Sequence, residues 1–297
     1  MVLLGFDDYR RQGEALAAAL AIPYAQVEVH RFPDGESKLT LPGGLPQAAV
    51  LCRSLDHPND KLIELLLAAQ SAREQGVQHL TLVAPYLCYM RQDTAFNPGE
   101  AVSQRIIGGF LAGLFDRVVT VDPHLHRIER LEQAIPGREA IALSSAGVMG
   151  DFLRRHTSRP LLVGPDGESE QWVRAIAEPA GLDYAIATKE RLGDREVRIT
   201  LPDHDYRRHE VILVDDMIST GRTLLNVTRQ LKRQGAETIH CLVTHALFSD
   251  EVSQALHDAG ITHLWSSDSI SHPSNAVSLT GLLARAVGWD ESHQSGT

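Results

Sequence analysis

Residues 211–223 read V-I-L-V-D-D-M-I-S-T-G-R-T and hold the densest chemistry in the sequence. An apolar run leads into Asp215 and Asp216. Ser219, Thr220, Gly221 and Thr223 follow before a helical pattern opens at Leu224. Unpaired backbone N–H groups at a helix start, and that helix's positive dipole end, both suit a phosphate. The hydroxyls add donors, and Gly221 lets the backbone come close to an anion. Two adjacent carboxylates would repel a phosphate, so they call for another partner. Neighbouring sugar hydroxyls, which donate to carboxylates, are that partner. The combination points to a phosphorylated sugar, against the plainer reading of a strand end, an acidic turn and a Ser-Thr-Gly cap.

Other clusters lie earlier. Residues 31–36 read R-F-P-D-G-E. The Pro-Asp-Gly within them is good turn chemistry. Residues 85–93 read P-Y-L-C-Y-M-R-Q-D. Arg91 is either a phosphate fork or an exposed loop charge. Residues 121–126 read V-D-P-H-L-H, where His124 stands as a ligand or as a satisfied structural histidine. Residues 189–195 are highly charged and contain Gly193. They read as a mobile lid over a site or as a solvated charge run.

These clusters fall where strands and helices alternate. Apolar runs predict strands at residues 48–52, 80–84, 118–121, 160–163, 184–187, 211–214 and 239–244. Helical spacing predicts helices at 62–75, 103–114, 168–180 and 224–234, three of them closed by Gly76, Gly181 and Gly235. Such alternation implies an α/β fold with mainly parallel sheets flanked by helices. The pattern restarts after Gly137, which predicts two domains, 1–142 and 143–289, with a polar tail at 290–297. Residues 196–201 alternate apolar and polar, as an exposed hairpin arm would, with a turn at 202–205.

The whole chain narrows the partners. Its net charge of −10 argues against a nucleic-acid binder, which needs clustered Lys and Arg. No apolar run approaches a membrane span, and the N-terminus carries no basic-then-apolar leader, so a cytoplasmic location is expected. Cys52, Cys88 and Cys241 are far apart and outside zinc spacing, and read as reduced core thiols.

The stretch at 211–223 resembles the signature of the phosphoribosyltransferase fold. The resemblance implies that Asp215 and Asp216 hold ribose hydroxyls while Ser219, Thr220, Gly221 and Thr223 wrap a 5-phosphate. Arg222 departs from the small residue, often Gly, found at its position. The motifs at 31–36, 85–93 and 121–126, with F-N-P-G-E at 96–100, G-P-D-G-E-S-E-Q-W at 164–172 and K-E-R at 189–191, resemble ribose-phosphate pyrophosphokinases. This family is also called the phosphoribosyl pyrophosphate synthetases, and the likeness is to its divergent, archaeal-type branch.

That resemblance implies two phosphoribosyltransferase-type domains and transfer of the β,γ-diphosphoryl group of ATP to ribose 5-phosphate with Mg²⁺. It assigns Phe32, Asp34, Glu36, Arg91, Gln92, Asp93 and His124 to ATP. It places Asp166 beside the ribose, His124 and Asp166 beside the metal, and Lys189 and Arg191 in catalysis. It further implies a homo-oligomer whose adenine site is shared between subunits. A phosphoribosyltransferase that consumes phosphoribosyl pyrophosphate and a non-catalytic regulatory paralogue are the alternatives.

Overall fold

The computed structural model describes residues 1–125, 127–191 and 197–288, and of residues 189–191, 197 and 198 it describes the backbone. The chain packs as two compact units. One comprises Met1–Leu143 together with the chain from Thr280 onward, and the other Ser144–Leu279. The expected polar tail at 290–297 lies outside the described residues.

The first unit contains β1 (Val2–Gly5), α1 (Arg10–Ala19), β2 (Tyr24–Gln26), β3 (Glu28–Arg31), β4 (Ser37–Thr40), β5 (Ala48–Cys52) and α2 (Pro58–Glu74). It continues through β6 (His79–Val83), α3 (Ser103–Leu114), β7 (Arg117–Val121) and β8 (Glu139–Leu143). Its sheet runs β2-β1-β5-β6-β7-β8, all neighbours parallel, with β3 and β4 paired as a separate antiparallel hairpin.

The second unit contains α4 (Ala146–His156), β9 (Leu161–Gly164), α5 (Glu170–Ala180), β10 (Tyr184–Ile186), β11 (Thr188–Arg191) and β12 (Val197–Thr200). Then come β13 (Glu210–Ile218), α6 (Arg222–Arg233), β14 (Thr238–Ala246), α7 (Asp250–Ala259), β15 (Ile261–Ser267) and β16 (Asn275–Val277). Its parallel sheet runs β10-β9-β13-β14-β15-β16, and β11 pairs antiparallel with β12. The two sheets thus share one strand order, each with a hairpin between its second and third sheet strands in the chain. The last helix among the described residues, α8 (Thr280–Val287), packs on α1, β7 and β8. It belongs to the first unit, whereas reading along the chain placed it with the second.

Burial explains why apolar runs mark these strands. Val211, Ile212, Leu213 and Val214 are all fully buried. Val211 and Leu213 join the core with Leu224 and Val227 of α6, while Ile212 and Val214 join the core with Phe152 of α4 and Ile176 of α5. Alternate side chains therefore enter opposite apolar layers, so both positions of the pleat must be hydrophobic. Each such side chain contributes on the order of 1.5–3 kcal/mol.

Three expectations change. The strand read at 211–214 continues to Ile218, because β14 extends to Ala246 and pairs with it, Met217 opposite His245 and Ile218 opposite Ala246. Asp215 and Asp216 are strand residues, not a turn. Part of the expected lid is also strand: Lys189 lies opposite Ile199 and Arg191 opposite Val197 in the β11–β12 hairpin. Residues 192–196 are outside the described residues. Finally, the arm read as exposed buries Ile199 and Leu201 in the core beside α6.

Candidate functional site

In the second unit the candidates gather at the carboxyl ends of neighbouring strands, where open parallel sheets present ligands. β13 brings Asp215 and the buried Asp216 to its end, and the Asp216 N–H donates to Asp215 Oδ1 at 3.0 Å. β9 lies beside β13 and delivers Asp166 just past its end. Burial, then the charges of Asp216 and Asp166, holds the Asp215 carboxyl well above the usual carboxylate range. Carboxylic acid groups crowded this way are ready to take hydrogen bonds from a sugar's hydroxyls, which relieve their shared cost.

Asp166 is held by its own turn. Its Oδ1 accepts from the Glu168 N–H at 3.2 Å, and its carbonyl accepts from Ser169 Oγ at 2.6 Å. Gly164 makes room for that serine, since a Cβ there would lie 2.5 Å from Ser169 Oγ.

Only Ser219, Thr220 and Gly221 separate β13 from α6. Gly221 caps the helix with φ of 67°, in the left-handed region that glycine adopts freely. Its carbonyl accepts from the Leu225 N–H at 2.9 Å, so the helix starts at once and turns its first N–H groups toward the strand end. Ser219 and Thr223 are half-buried, and Thr220 is exposed. Arg222 is the first helical residue and is exposed.

A narrow hollow adjoins Asp215, lined by Ser145, Met149, Trp172, Val214 and Thr244 among others. Ser145 Oγ and Thr244 Oγ1 stand 3.0 Å apart in it. Both hydroxyls went unremarked in the sequence. The signal for Thr244 was a polar residue ending the apolar run of β14; nothing local marks Ser145.

In the first unit the candidates occupy the β3–β4 hairpin tip and the loops after β6 and β7. Residues 32–36 form the tip of the β3–β4 hairpin and are all exposed. The Phe32 N–H donates to the Glu36 carbonyl at 2.8 Å, and the Glu36 N–H donates to Asp34 Oδ1 at 3.2 Å. Asp34 thus shapes the turn, as Pro-Asp-Gly chemistry predicts, while Phe32 presents 41% of its surface.

After β6, Arg91 is exposed. Gln92 Oε1 accepts from Ser103 Oγ at 3.0 Å. The Asp93 side chain is only 1% exposed, and Arg127 Nη1 donates to it at 2.5 Å. This pair ties the loop after β6 to the loop after β7, which carries the half-buried His124. Asp122 turns that second loop at φ of 38°, its N–H donating to Leu143 O at 2.8 Å. A hollow of about 390 Å³ opens at the opposite ends of these strands, lined by His79, Asp116, Arg117 and Glu139 among others, and holds none of the candidates.

Among the described residues no three His, Cys, Asp or Glu converge as a metal cluster. The side chains of Lys189 and Arg191 lie outside the description, and so does His126.

A family model described as the N-terminal domain of ribose phosphate pyrophosphokinase matches residues 1–113, and the phosphoribosyl transferase domain matches residues 139–275. The ribose-phosphate pyrophosphokinase of Methanopyrus kandleri is 33% identical over 290 residues, 97% of this chain and 98% of that protein. The protein of that name from Thermococcus kodakarensis is 33% identical, over 96% of this chain and 99% of its own. The crystal structure of phosphoribosylpyrophosphate synthetase from Mycobacterium smegmatis matches with a TM-score of 0.83, over 96% of this chain and 97% of that one, at 21% identity. That last likeness is one of fold.

Proposed function

Because the chain belongs to the ribose-phosphate pyrophosphokinase family, we propose that it transfers the β,γ-diphosphoryl group of ATP to the C1 hydroxyl of ribose 5-phosphate, giving phosphoribosyl pyrophosphate and AMP. The observation that carries this is the meeting of Asp166, Asp215 and Asp216 with the glycine-capped start of α6. The acids receive the ribose hydroxyls, and the loop at 219–223 receives the 5-phosphate. In the reaction a bond forms from the anomeric oxygen to the β-phosphorus. The bond from that phosphorus to the oxygen bridging to the α-phosphorus breaks, AMP leaves, and the hydroxyl proton passes to solvent. Such transfer depends on positioning and charge neutralisation more than on covalent help.

The remaining roles follow. Phe32, Asp34 and Glu36 take the adenine, and Arg91, Gln92, Asp93 and His124 take the nucleotide and its phosphates. Lys189 and Arg191 stabilise the charge that develops on the β-phosphoryl group. Mg²⁺ fits the donor set, since carboxylate oxygens are hard ligands and this ion keeps several waters and substrate phosphate oxygens. The family resemblance gives Asp166 and His124 as the residues that would hold it, and when bound it would neutralise phosphate charge. The exposure of the hairpin tip, and of Ile63, Leu67, Phe96 and Ile106 in the same unit, supports a homo-oligomer in which that tip serves a neighbour. Three buried thiols suit a reducing, cytoplasmic setting.

The test is incubation with Mg-ATP and ribose 5-phosphate, following AMP and phosphoribosyl pyrophosphate by chromatography, with Lys189→Ala beside it. Equal amounts of both products, lost in the variant, support the reaction and the role of Lys189. Absence of both from a folded protein that binds Mg-ATP sinks the reading. A phosphoribosyltransferase has the same phosphate loop but would release pyrophosphate from phosphoribosyl pyrophosphate in the presence of a base.

A further inference from the structure

Glu64 is a fully buried carboxylate in the middle of α2, with no part in the chemistry above. Its Oε1 accepts from Arg31 Nε at 3.3 Å, from Arg31 Nη2 at 3.1 Å and from Ser37 Oγ at 3.1 Å. Arg31 and Ser37 face each other as the last register pair of the β3–β4 hairpin, immediately flanking residues 32–36. Its other oxygen, Oε2, faces Arg53 Nη1 at 2.6 Å as an ion pair rather than an aligned hydrogen bond. Arg53 is itself buried just beyond the end of β5. Its Nε donates to both oxygens of Asp8 at 3.1 Å, and its guanidinium lies 4.2 Å over the Phe6 ring.

We propose that Glu64 is a positioning residue for the nucleotide, clamping both bases of the hairpin tip that carries Phe32, Asp34 and Glu36. The clamp rests on the reading of that tip as the adenine pocket. The residues 32–36 it holds are exposed, and the hairpin forms no part of the main sheet. The tip has little packing of its own to fix its direction. A carboxylate accepting from both strands at the neck fixes that direction, and Arg53 anchors the carboxylate to the sheet. A buried acid is costly unless paired and hydrogen-bonded. Glu64 meets both conditions through its hairpin partners and Arg53. An apolar residue would fill the helix position without that cost, but could not grip the hairpin.

The test compares wild-type protein with Glu64→Gln, which keeps the volume and loses the charge. Arg31→Ala serves as a second variant. It releases the hairpin from its exposed side and leaves the buried Glu64–Arg53 pair in place, so it remains informative should Glu64→Gln not fold. Two readouts are taken: amide hydrogen exchange across residues 28–40, and the kinetics of phosphoribosyl pyrophosphate formation. Expected are faster exchange in the hairpin, a KM for ATP raised about 10-fold, and kcat and the KM for ribose 5-phosphate within about 2-fold of wild type. Discrimination between ATP and GTP should shrink in step, which a general loosening of the fold would not produce. Unchanged exchange in both variants overturns the clamp. Faster exchange with an unchanged KM for ATP overturns its role toward the nucleotide. If wild-type protein makes no product while the variants still loosen the hairpin, the clamp stands and the proposed reaction falls.

Discussion

Gly221 faces Val252 of α7 so closely that a Cβ on the glycine would lie 2.6 Å from Val252 Cγ1. The same glycine sits at φ of 67°, so both the space and the backbone exclude a side chain. Gly221→Ala is expected to lose about 1–2 kcal/mol to the left-handed backbone. Overpacking against Val252 adds about 1–3 kcal/mol. The KM for ribose 5-phosphate should rise more than about 10-fold as the loop is displaced. Adding Val252→Ala should recover the packing part of the stability loss and leave the backbone part. Thermal melts of the two single variants and the double variant measure this coupling.

Asp215 is costly to the free protein, since burial and the neighbouring Asp216 and Asp166 oppose its ionisation. Asp215→Asn is therefore expected to raise the melting temperature at pH 7.5 while lowering kcat/KM for ribose 5-phosphate by about 100-fold, the scale of lost charge-assisted hydrogen bonds. A variant that melts lower and retains activity would show that the carboxylate is structural.

The thiols of Cys52 and Cys88 are pushed up to about 12, in both cases chiefly by burial. Cys241 is shifted in the same direction by burial and by Asp215. Thiolate is the reactive form, so native protein should react with an aromatic disulfide reagent orders of magnitude more slowly than unfolded protein, which should titrate three thiols. Fast labelling of the native state would contradict the burial.

His240 lies against Glu210, with Nε2 and Oε1 at 2.9 Å, and its ring centroid is 5.0 Å from that of His263 and 4.8 Å from that of Trp265. Its pKa is lowered by burial and by His263, against the pull of Glu210. A depressed histidine binds its proton more weakly folded than unfolded. Its contribution to stability is thus complete above its unfolded pKa of about 6.5 and lost as pH falls below that value. Urea midpoints at pH 7.5 and 5.5 should differ less in His240→Phe than in the wild type. An equal difference would remove His240 from the acid sensitivity.

The parts of the fold legible in the sequence were those where burial forces composition. Central strands such as β5 and β13 are apolar on both faces and stand out as unbroken runs. β3, with Glu28, Val29, His30 and Arg31, has almost no buried face and no run to find. β15 sets the exposed Thr262 and His263 side by side between Ile261 and Leu264, which breaks its apolar run. The second unit's site was readable because the acids, hydroxyls and Gly221 are contiguous. Glu64 was not, because its partners Arg31, Ser37 and Arg53 are brought to it by the hairpin and β5. The common strand order of the two units was equally hidden, since it lives in pairing and not in repeated residues.

The return of α8 to the first unit bears on how the protein is made. Arg117 at the start of β7 donates to the Ala286 carbonyl at 2.8 Å, and α8 also covers α1. The first unit therefore lacks one of its own helices until the second unit has been translated. The second unit, by contrast, is continuous in sequence and has all of its strands in hand before that helix is translated. Synthesis runs from the N-terminus, yet the C-terminal unit is the one that can complete its packing first.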